Sequence, residues 1–373
     1  MNKLIKNIIF NFIQSRVFIH YNNKIKNINP FNFKTIKRDE NNELLHIKKW
    51  KLLKKKINLK WYYLYSSIIN SNSPDFIPED IYYGIVEKTL NNSKFNLSYA
   101  DKNNLNKIVN NDILCHVFVR NIDGVFYDNN YNMISVNSSN LFGFLKDNDK
   151  VIVKKSFDSA GGRSLNLFFK KNHKYLSNEK VTLSIDYLNK IYLKNYLIQE
   201  YIIQHAYYKK FNQSSVNTVR VMTYRSIKNE KVNILHSVLR FGAKNKFVDN
   251  QASGGFSCGI NRNGLLNDFY IDKNCNKYDI KKVLNDYRGD EIVYKFDEII
   301  GKSKSLAKLF PYHRIIGFDF CVDVDGNIKL IEINNNSIEI NFIQISCGPL
   351  FGEFTDEIID YCLKNNPTFT INN

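Results

Sequence analysis

Residues 315–334, Ile-Ile-Gly-Phe-Asp-Phe-Cys-Val-Asp-Val-Asp-Gly-Asn-Ile-Lys-Leu-Ile-Glu-Ile-Asn, constrain the fold of this chain more than any other stretch. β-Branched and aromatic residues fill both halves, and Asp325-Gly326 is the pair that a tight type I′ hairpin turn favours, so the stretch predicts two antiparallel strands. Counting outward from a two-residue turn sets Asp319 opposite Glu332 and Gly317 opposite Asn334. Asp319, Glu332 and Asn334 then share one face. Phe318, Phe320, Ile331 and Ile333 share the other, as a buried underside requires. Two carboxylates directly opposite each other repel unless a cation lies between them. Three hard oxygen ligands, with room left beside Asn334 by Gly317, suit Mg²⁺ carrying phosphates better than Zn²⁺ or an all-protein Ca²⁺ cage.

Two other readings of the same residues compete. One is an ordinary hairpin with a solvated acidic face. The other takes Asp323-Val-Asp325 as the Asp-x-Asp metal motif of a glycosyltransferase, although both residues sit at a turn, where Asp is favoured anyway.

At 373 residues the chain is long enough for two or three subdomains with sizeable cores. A formal charge of +17 implies a surface that attracts polyanions such as nucleotides, nucleic acid or anionic lipid. The six cysteines, 115, 258, 275, 321, 347 and 362, show no Cys-x-x-Cys pair and no His at zinc-ligand spacing, which predicts a reduced, cytoplasmic protein. Cys115-His116 is a poor nucleophile and base, because neighbours on a strand point to opposite faces. No run of about twenty apolar residues is present to span a bilayer.

Residues 1–95 read as a basic, mainly helical region. From Met1 to Lys26, Ile, Phe and Val mix with Lys and Arg and no small-residue cleavage site follows, so a signal peptide is disfavoured. A basic helix on an anionic membrane surface and a partly ordered leader both fit that composition. Ile47–Trp61 alternates lysines with two tryptophans. A patch for nucleic acid or anionic lipid is one reading; a helix with solvated lysines that buries Trp50, Leu53 and Ile57 is the preferred one. Ser71–Pro78 marks a break before a helix near 78–90.

From residue 96 onward the motifs are ordered. Tyr99-Ala-Asp-Lys102 opens a helical segment carrying Leu105 and Ile108; Val151-Ile-Val-Lys154 is an apolar strand ending in lysine. Ser156–Ser164, with Ser159, Gly161 and Gly162, and the returning strand Leu165–Phe169 make a flap whose backbone N–H groups can cover phosphates. Tyr196–Ile203 is a strand carrying Gln199, Glu200 and Tyr201. In Val216–Tyr224, Thr218, Arg220 and Met222 share a face, with Asn217 at the start; an Arg among apolar neighbours is either paired or bound to an anion. The strand 233–241 presents Arg240, and the following loop contains Asp249, Asn250, Gly254 and Gly255, bare donors that suit an anionic or carboxylate substrate. Residues 279–309 read as helical, with Arg288-Gly289 as a weak point.

In that order, these motifs resemble the ATP-grasp superfamily. Val216-Asn-Thr-Val-Arg220, the Asp249-Asn250…Gly254-Gly255 loop and Ile316-Gly-Phe-Asp319 resemble its sugar-transfer-associated family, known from polysaccharide and cell-surface gene clusters. The resemblance covers about residues 96–350. It implies an α/β ATP-grasp fold, two α+β subdomains gripping ATP, over residues 96–373, with a lid at about 145–205. It implies ATP and Mg²⁺ as cofactors: Lys102 and Lys154 on the phosphates, the flap closing over them, Gln199 to Ile203 lining the adenine slot, and Asp319, Glu332 and Asn334 holding the metal. Arg220, with Arg240, would stabilise an acyl-phosphate and the tetrahedral species after it; Asn217, Asp249, Asn250, Gly254 and Gly255 would bind substrate. The activity implied is carboxylate–amine ligation on a sugar-derived acceptor, or alternatively on a peptide or protein. A nucleic-acid-binding protein with a degenerate ATP site fits poorly, since it needs no such constellation. Two departures stand out: the family's Pro-Gly turn after Asn334 is replaced by Asn335–Asn341, and Lys155 stands where many relatives have Pro.

Overall fold

The computed structural model describes residues 3–26, 28, 38–146, 148–157, 164–243 and 254–368. Helices α1 (Lys3–Lys26), α2 (Glu40–Lys51), α3 (Leu59–Ile69) and α4 (79–90, with a π-helical centre at Tyr82–Val86) precede the strands. Strands β1 (Val117–Ile122), β2 (Val125–Tyr127), β3 (Lys150–Lys155), β4 (Leu165–Lys171), β5 (Lys174–Ser177) and β6 (Tyr196–Glu200) form one antiparallel sheet in the order β2-β1-β6-β3-β4-β5. Strands β7 (Thr218–Arg225), β8 (Val232–Phe241), β9 (Phe256–Ile260), β10 (Leu266–Ile271), β11 (Lys277–Asp279), β12 (Ile315–Val322) and β13 (Ile328–Asn334) form the second, in the order β11-β10-β9-β8-β7-β12-β13. The smaller sheet therefore takes in β1 and β2 as well as the lid expected at 145–205.

Alternation along the strands sorts the larger sheet into two cores. Val219, Val221, Leu239, Phe318, Phe320, Leu330 and Ile333 pack with Phe296, Ile299 and Leu306 of α5 (Phe296–Ala307). Met222, Tyr224 and Val238 pack on the other face with α4, with α6 (Ile340–Cys347) and with α7 (Thr355–Lys364). Only 280–282, as a 3₁₀ turn, and α5 are helical within 279–309. Gly289 sits at φ +87° amid Asn285, Asp286 and Asp290, turn chemistry that ends a helix.

The hairpin forms with a different turn. Asp323 N donates to Asn327 O at 2.9 Å, Gly326 N donates to Asp323 O at 3.0 Å, and Gly326 adopts φ +83°. These contacts enclose a three-residue loop rather than a two-residue type I′ turn. A bulge then compensates: the register is Val322↔Ile328 and Phe320↔Leu330, shifting to Asp319↔Glu332 and Gly317↔Asn334. The expected pairing at the candidate site is thus recovered, while Ile331 becomes the extra residue and packs beside Cys115 and Cys321 instead of joining Phe318 and Phe320. Asp323 accepts from Asp325 N at 3.0 Å and Asn327 N at 2.8 Å, the turn role for which Asp is favoured at such positions. Space beside Gly317 is filled by the chain itself: a Cβ there would lie 3.1 Å from Met222 Sδ.

The N-terminal helices are docked on the second core. Asp39 caps α2 by accepting from Asn42 N at 3.1 Å, and Asn58 caps α3 by accepting from Lys60 N at 3.2 Å, so the lysine-rich stretch is two helices with a break, not one. Trp50 and Trp61 are fully buried, as the preferred reading requires for Trp50. The lysines are not all solvated: Lys49 bonds Asp75 at 2.6 Å and Asp356 at 2.8 Å, and Lys54 pairs with buried Asp80. Along α1, Tyr21 stacks on Tyr83 at 4.2 Å, Lys24 bonds buried Glu79 at 2.9 Å, and Phe18 lies against the bare Cα of Gly84. No helix among the described residues is long and apolar enough to cross a membrane.

Gly84 is the tightest of these contacts, because any Cβ would overlap the Phe18 ring. Gly84→Ala is expected to lower stability in urea by about 1–3 kcal/mol, the usual range for overpacking, and to hasten limited proteolysis within α1. Unchanged stability and cleavage would mean that α1 does not bear on α4.

Candidate active site at the seam of the two sheets

The smaller sheet meets the hairpin along a short seam. After β6, Ile203 O accepts from Val324 N at 2.7 Å and His205 N donates to Val322 O at 2.9 Å. Lys102 N donates to Ser156 O at 2.8 Å, which fixes Lys102 at the end of β3. Lys102 lies in a turn between two short helical segments, Asn96–Ala100 and Leu105–Ile108, rather than inside a helix.

Its ammonium reaches across the seam to Glu332 Oε1 at 3.0 Å. Lys102, Lys154, Gln199, Cys115 and Ile331 line one small cavity of about 20 Å³. Lys154 is only 8% exposed, and among the described residues nothing bonds its ammonium. Burial, with Lys102 nearby, lowers its pKa to about 8. Glu332 is held below the usual carboxylate range: burial pushes it up, but the Lys102 ammonium outweighs that.

Asp319 sits beside them, 3% exposed, between two arginines. Arg220 grips it bidentately, Nε to Oδ1 at 2.7 Å and Nη2 to Oδ2 at 2.8 Å, and Arg240 Nη1 donates to Oδ2 at 2.9 Å. Burial would raise the Asp319 pKa; the Arg220 and Arg240 charges hold it low, and Arg220 is pushed up in turn. Both carboxylate oxygens therefore already accept hydrogen bonds from guanidinium groups, which the expectation of Asp319 as a metal ligand did not include. Glu332, through its second oxygen, and Asn334, through its amide oxygen, remain as oxygen donors of the kind Mg²⁺ takes, while the Asn334 side chain also helps to hold the Asp319 pKa low.

Other expected residues fall elsewhere. Asn217 is fully buried, giving Nδ2 to Tyr208 O at 2.7 Å and Asn212 O at 2.8 Å, so it secures the preceding loop. Glu200 accepts from His116 N at 2.9 Å, tying β6 to the start of β1. Tyr201 is half-buried under the Lys150 ammonium, 5.0 Å from its ring centre, and the Ile203 side chain is 53% exposed. Gly254 and Gly255 lead into β9. Ser159, Gly161, Gly162, Asp249 and Asn250 lie outside the described residues. Cys115 is buried and its thiol is pushed up by that burial, which leaves it unreactive.

Sequence reasoning missed Glu339, whose Oε2 lies 3.4 Å from Arg220 Nη1. It also missed Asn91 and Glu87 of the α4 end. Asn91 Nδ2 donates to Ile315 O at 2.7 Å and Asn335 O at 2.8 Å, and Glu87 Oε1 accepts from Ile338 N at 3.1 Å. Glu339 lay inside the 335–341 stretch already noted as unusual; nothing marked the other two.

The family model for sugar-transfer associated ATP-grasp proteins matches residues 86–356. No curated protein sequence matches the chain. Among solved structures, it is similar to N5-carboxyaminoimidazole synthetase from Staphylococcus aureus complexed with ADP, at 7% identity over 74% of this chain and 53% of that one, TM-score 0.40. It is similar to biotin carboxylase from Campylobacter jejuni at 12% identity over 74% and 48%, TM-score 0.40. A third is D-alanine–D-alanine ligase from Bacillus anthracis, at 13% identity over 72% and 67%, TM-score 0.38. The chain spans about half the length of the first two.

Two stability changes follow from the geometry. Asp319→Asn removes the carboxylate that Arg220 and Arg240 share, leaving the part-exposed Glu339 3.4 Å from Arg220, and is expected to cost about 3–5 kcal/mol in urea unfolding. Because the folded pKa of Asp319 is depressed, that contribution is whole above the unfolded value, ~3.9, and fades as pH falls through the folded one. Lys154→Met removes an unpaired buried ammonium. With a folded pKa of about 8 against 10.5, it is expected to gain on the order of 2–3 kcal/mol at pH 7, a gain that shrinks as pH rises from about 8 to 10.5.

Proposed function

Because the chain belongs to the sugar-transfer associated ATP-grasp family, we propose that it is an ADP-forming, ATP- and Mg²⁺-dependent carboxylate–amine ligase acting through an acyl-phosphate. The observation that carries this reading is the convergence of Lys102, Lys154, Glu332, Asn334 and the Arg220–Asp319–Arg240 set on one seam. Its ammonium unpaired among the described residues and its pKa about 8, Lys154 is poised to take a phosphate, and doing so would relieve its desolvation. Lys102 would turn from Glu332 to the phosphates, freeing that carboxylate. Glu332 and Asn334 would hold Mg²⁺, which when bound spreads the charge of the transferring phosphoryl group. Gln199 and the chain after it would border the adenine.

In the reaction, a substrate carboxylate oxygen bonds to the γ-phosphorus as the bond to the ADP oxygen breaks. The amine nitrogen then attacks the activated carbonyl carbon, phosphate leaves, and the nitrogen's proton passes to solvent. Arg220 and Arg240, aimed by Asp319, would stabilise the anionic oxygens in both steps. No nucleophilic side chain is needed. The acceptor we propose is a sugar-derived amine and the donor an amino acid or other small carboxylate, in surface polysaccharide biosynthesis, in the cytoplasm.

Purified protein with MgATP and pooled amino acids and amino sugars is expected to release ADP, not AMP, only with particular pools. Glu332→Ala should reduce that by about 100-fold or more, the scale of losing a transition-state electrostatic contact. Asp323→Ala should change turnover little beyond its effect on stability. Loss with Asp323→Ala and retention with Glu332→Ala would contradict the assignment.

A further inference from the structure

The lysine-rich stretch does not serve the proposed catalytic site, and its exposed residues have a pattern of their own. Between Leu44 and Pro74 the chain carries seven lysines and no acidic residue. Lys49 and Lys54 turn inward to Asp75, Asp356 and Asp80. Lys48, Lys51, Lys55 and Lys56 stay exposed, as does Lys60 in α3, and none is in an ion pair with a described residue. Interleaved with them are Leu44, Leu45 and Leu52, exposed by 64%, 51% and 58%. Positions 44, 45, 48, 51 and 52 recur at helical spacing and fall on one outward stripe of α2. The opposite stripe, His46 and Trp50, is fully buried.

Three exposed leucines on a helix this short gain nothing in water, and four lysines beside them gain nothing by repelling one another. Both become favourable against a surface that is apolar beneath and anionic above. We propose that the outer face of α2 and the turn after it form a docking surface for an anionic lipid bilayer, on which the helix lies in plane. Leu44, Leu45 and Leu52 enter the acyl boundary while Lys48, Lys51, Lys55 and Lys56 meet the headgroups. Charge alone would equally suit nucleic acid. The side chains decide between them: both tryptophans are buried and cannot stack on bases, and aliphatic leucines give bases nothing to pair with.

The test is flotation of the full-length protein with vesicles of phosphatidylcholine alone and of phosphatidylcholine with 30% phosphatidylglycerol, at about 0.1 M salt, where charges within ~10 Å still interact. Binding is expected to the anionic vesicles only. Lys48→Glu/Lys51→Glu/Lys55→Glu should weaken it by about tenfold or more. Leu44→Ser/Leu52→Ser should weaken it at unchanged charge. Both variants alter exposed side chains, and unchanged thermal unfolding would show that they are folded. No vesicle binding, equal binding to neutral vesicles, or retention by either variant overturns the proposal. So does tighter binding to a 30-nucleotide DNA, which would give the surface to nucleic acid. None of these outcomes depends on nucleotide turnover.

Discussion

The carboxylate of Asp319, held between the guanidiniums of Arg220 and Arg240, is the interaction around which the candidate site on the larger sheet is arranged. The three residues stand on neighbouring strands, with Asp319 opposite Arg220 on β12 and β7, and Arg240 opposite Thr218 on β8. Three buried charges are costly to desolvate, and replacing them with well-packed apolar side chains would leave the sheet as stable or more so. In the proposed reaction their presence is accounted for by what they would aim. Two guanidiniums fixed over one face would, in that reaction, favour a developing oxyanion without reorganisation. Lys154 fits the same logic, a destabilising ammonium kept at a seam where a phosphate would offset it.

The helices before the strands belong to this body through charge as well as packing. Glu79 and Asp80 are buried at the start of α4 and are met by Lys24 from α1 and Lys54 from the α2–α3 connection. The other end of α4 holds the hairpin: Asn91 closes on Ile315 and Asn335, and Glu87 on Ile338, the chain just before Glu339. One composite helix thus links the N-terminal region to the backbone beside Arg220.

Much of this was legible in the residues, and the gaps have physical reasons. Register near Asp319 was readable because side-chain alternation and one turn signal over-determine it. It survived a wrong turn type only because the bulge at Ile331 added back the residue that the longer loop consumed. Periodicity found β3, β4, β7 and β8, yet it overran at 279–309, where Gly289 and flanking turn formers outweigh a few apolar positions. Facing carboxylates suggested a cation. What could not be read is that Arg220 and Arg240 reach Asp319 first, since which partner a buried charge takes depends on contacts 79 and 99 residues apart in sequence. The contacts of Asn217 were hidden for the same reason: its amide bonds backbone carbonyls of the loop before it.

Trapping with hydroxylamine tests the central claim most directly. Hydroxylamine in place of the amine intercepts an acyl-phosphate as a hydroxamate. The account predicts that MgATP and the donor carboxylate identified by ADP release will yield hydroxamate and ADP in equal amounts, and that Lys154→Met will yield neither. AMP and pyrophosphate in place of ADP, or ADP release without hydroxamate, would contradict phosphoryl transfer to a carboxylate at this seam.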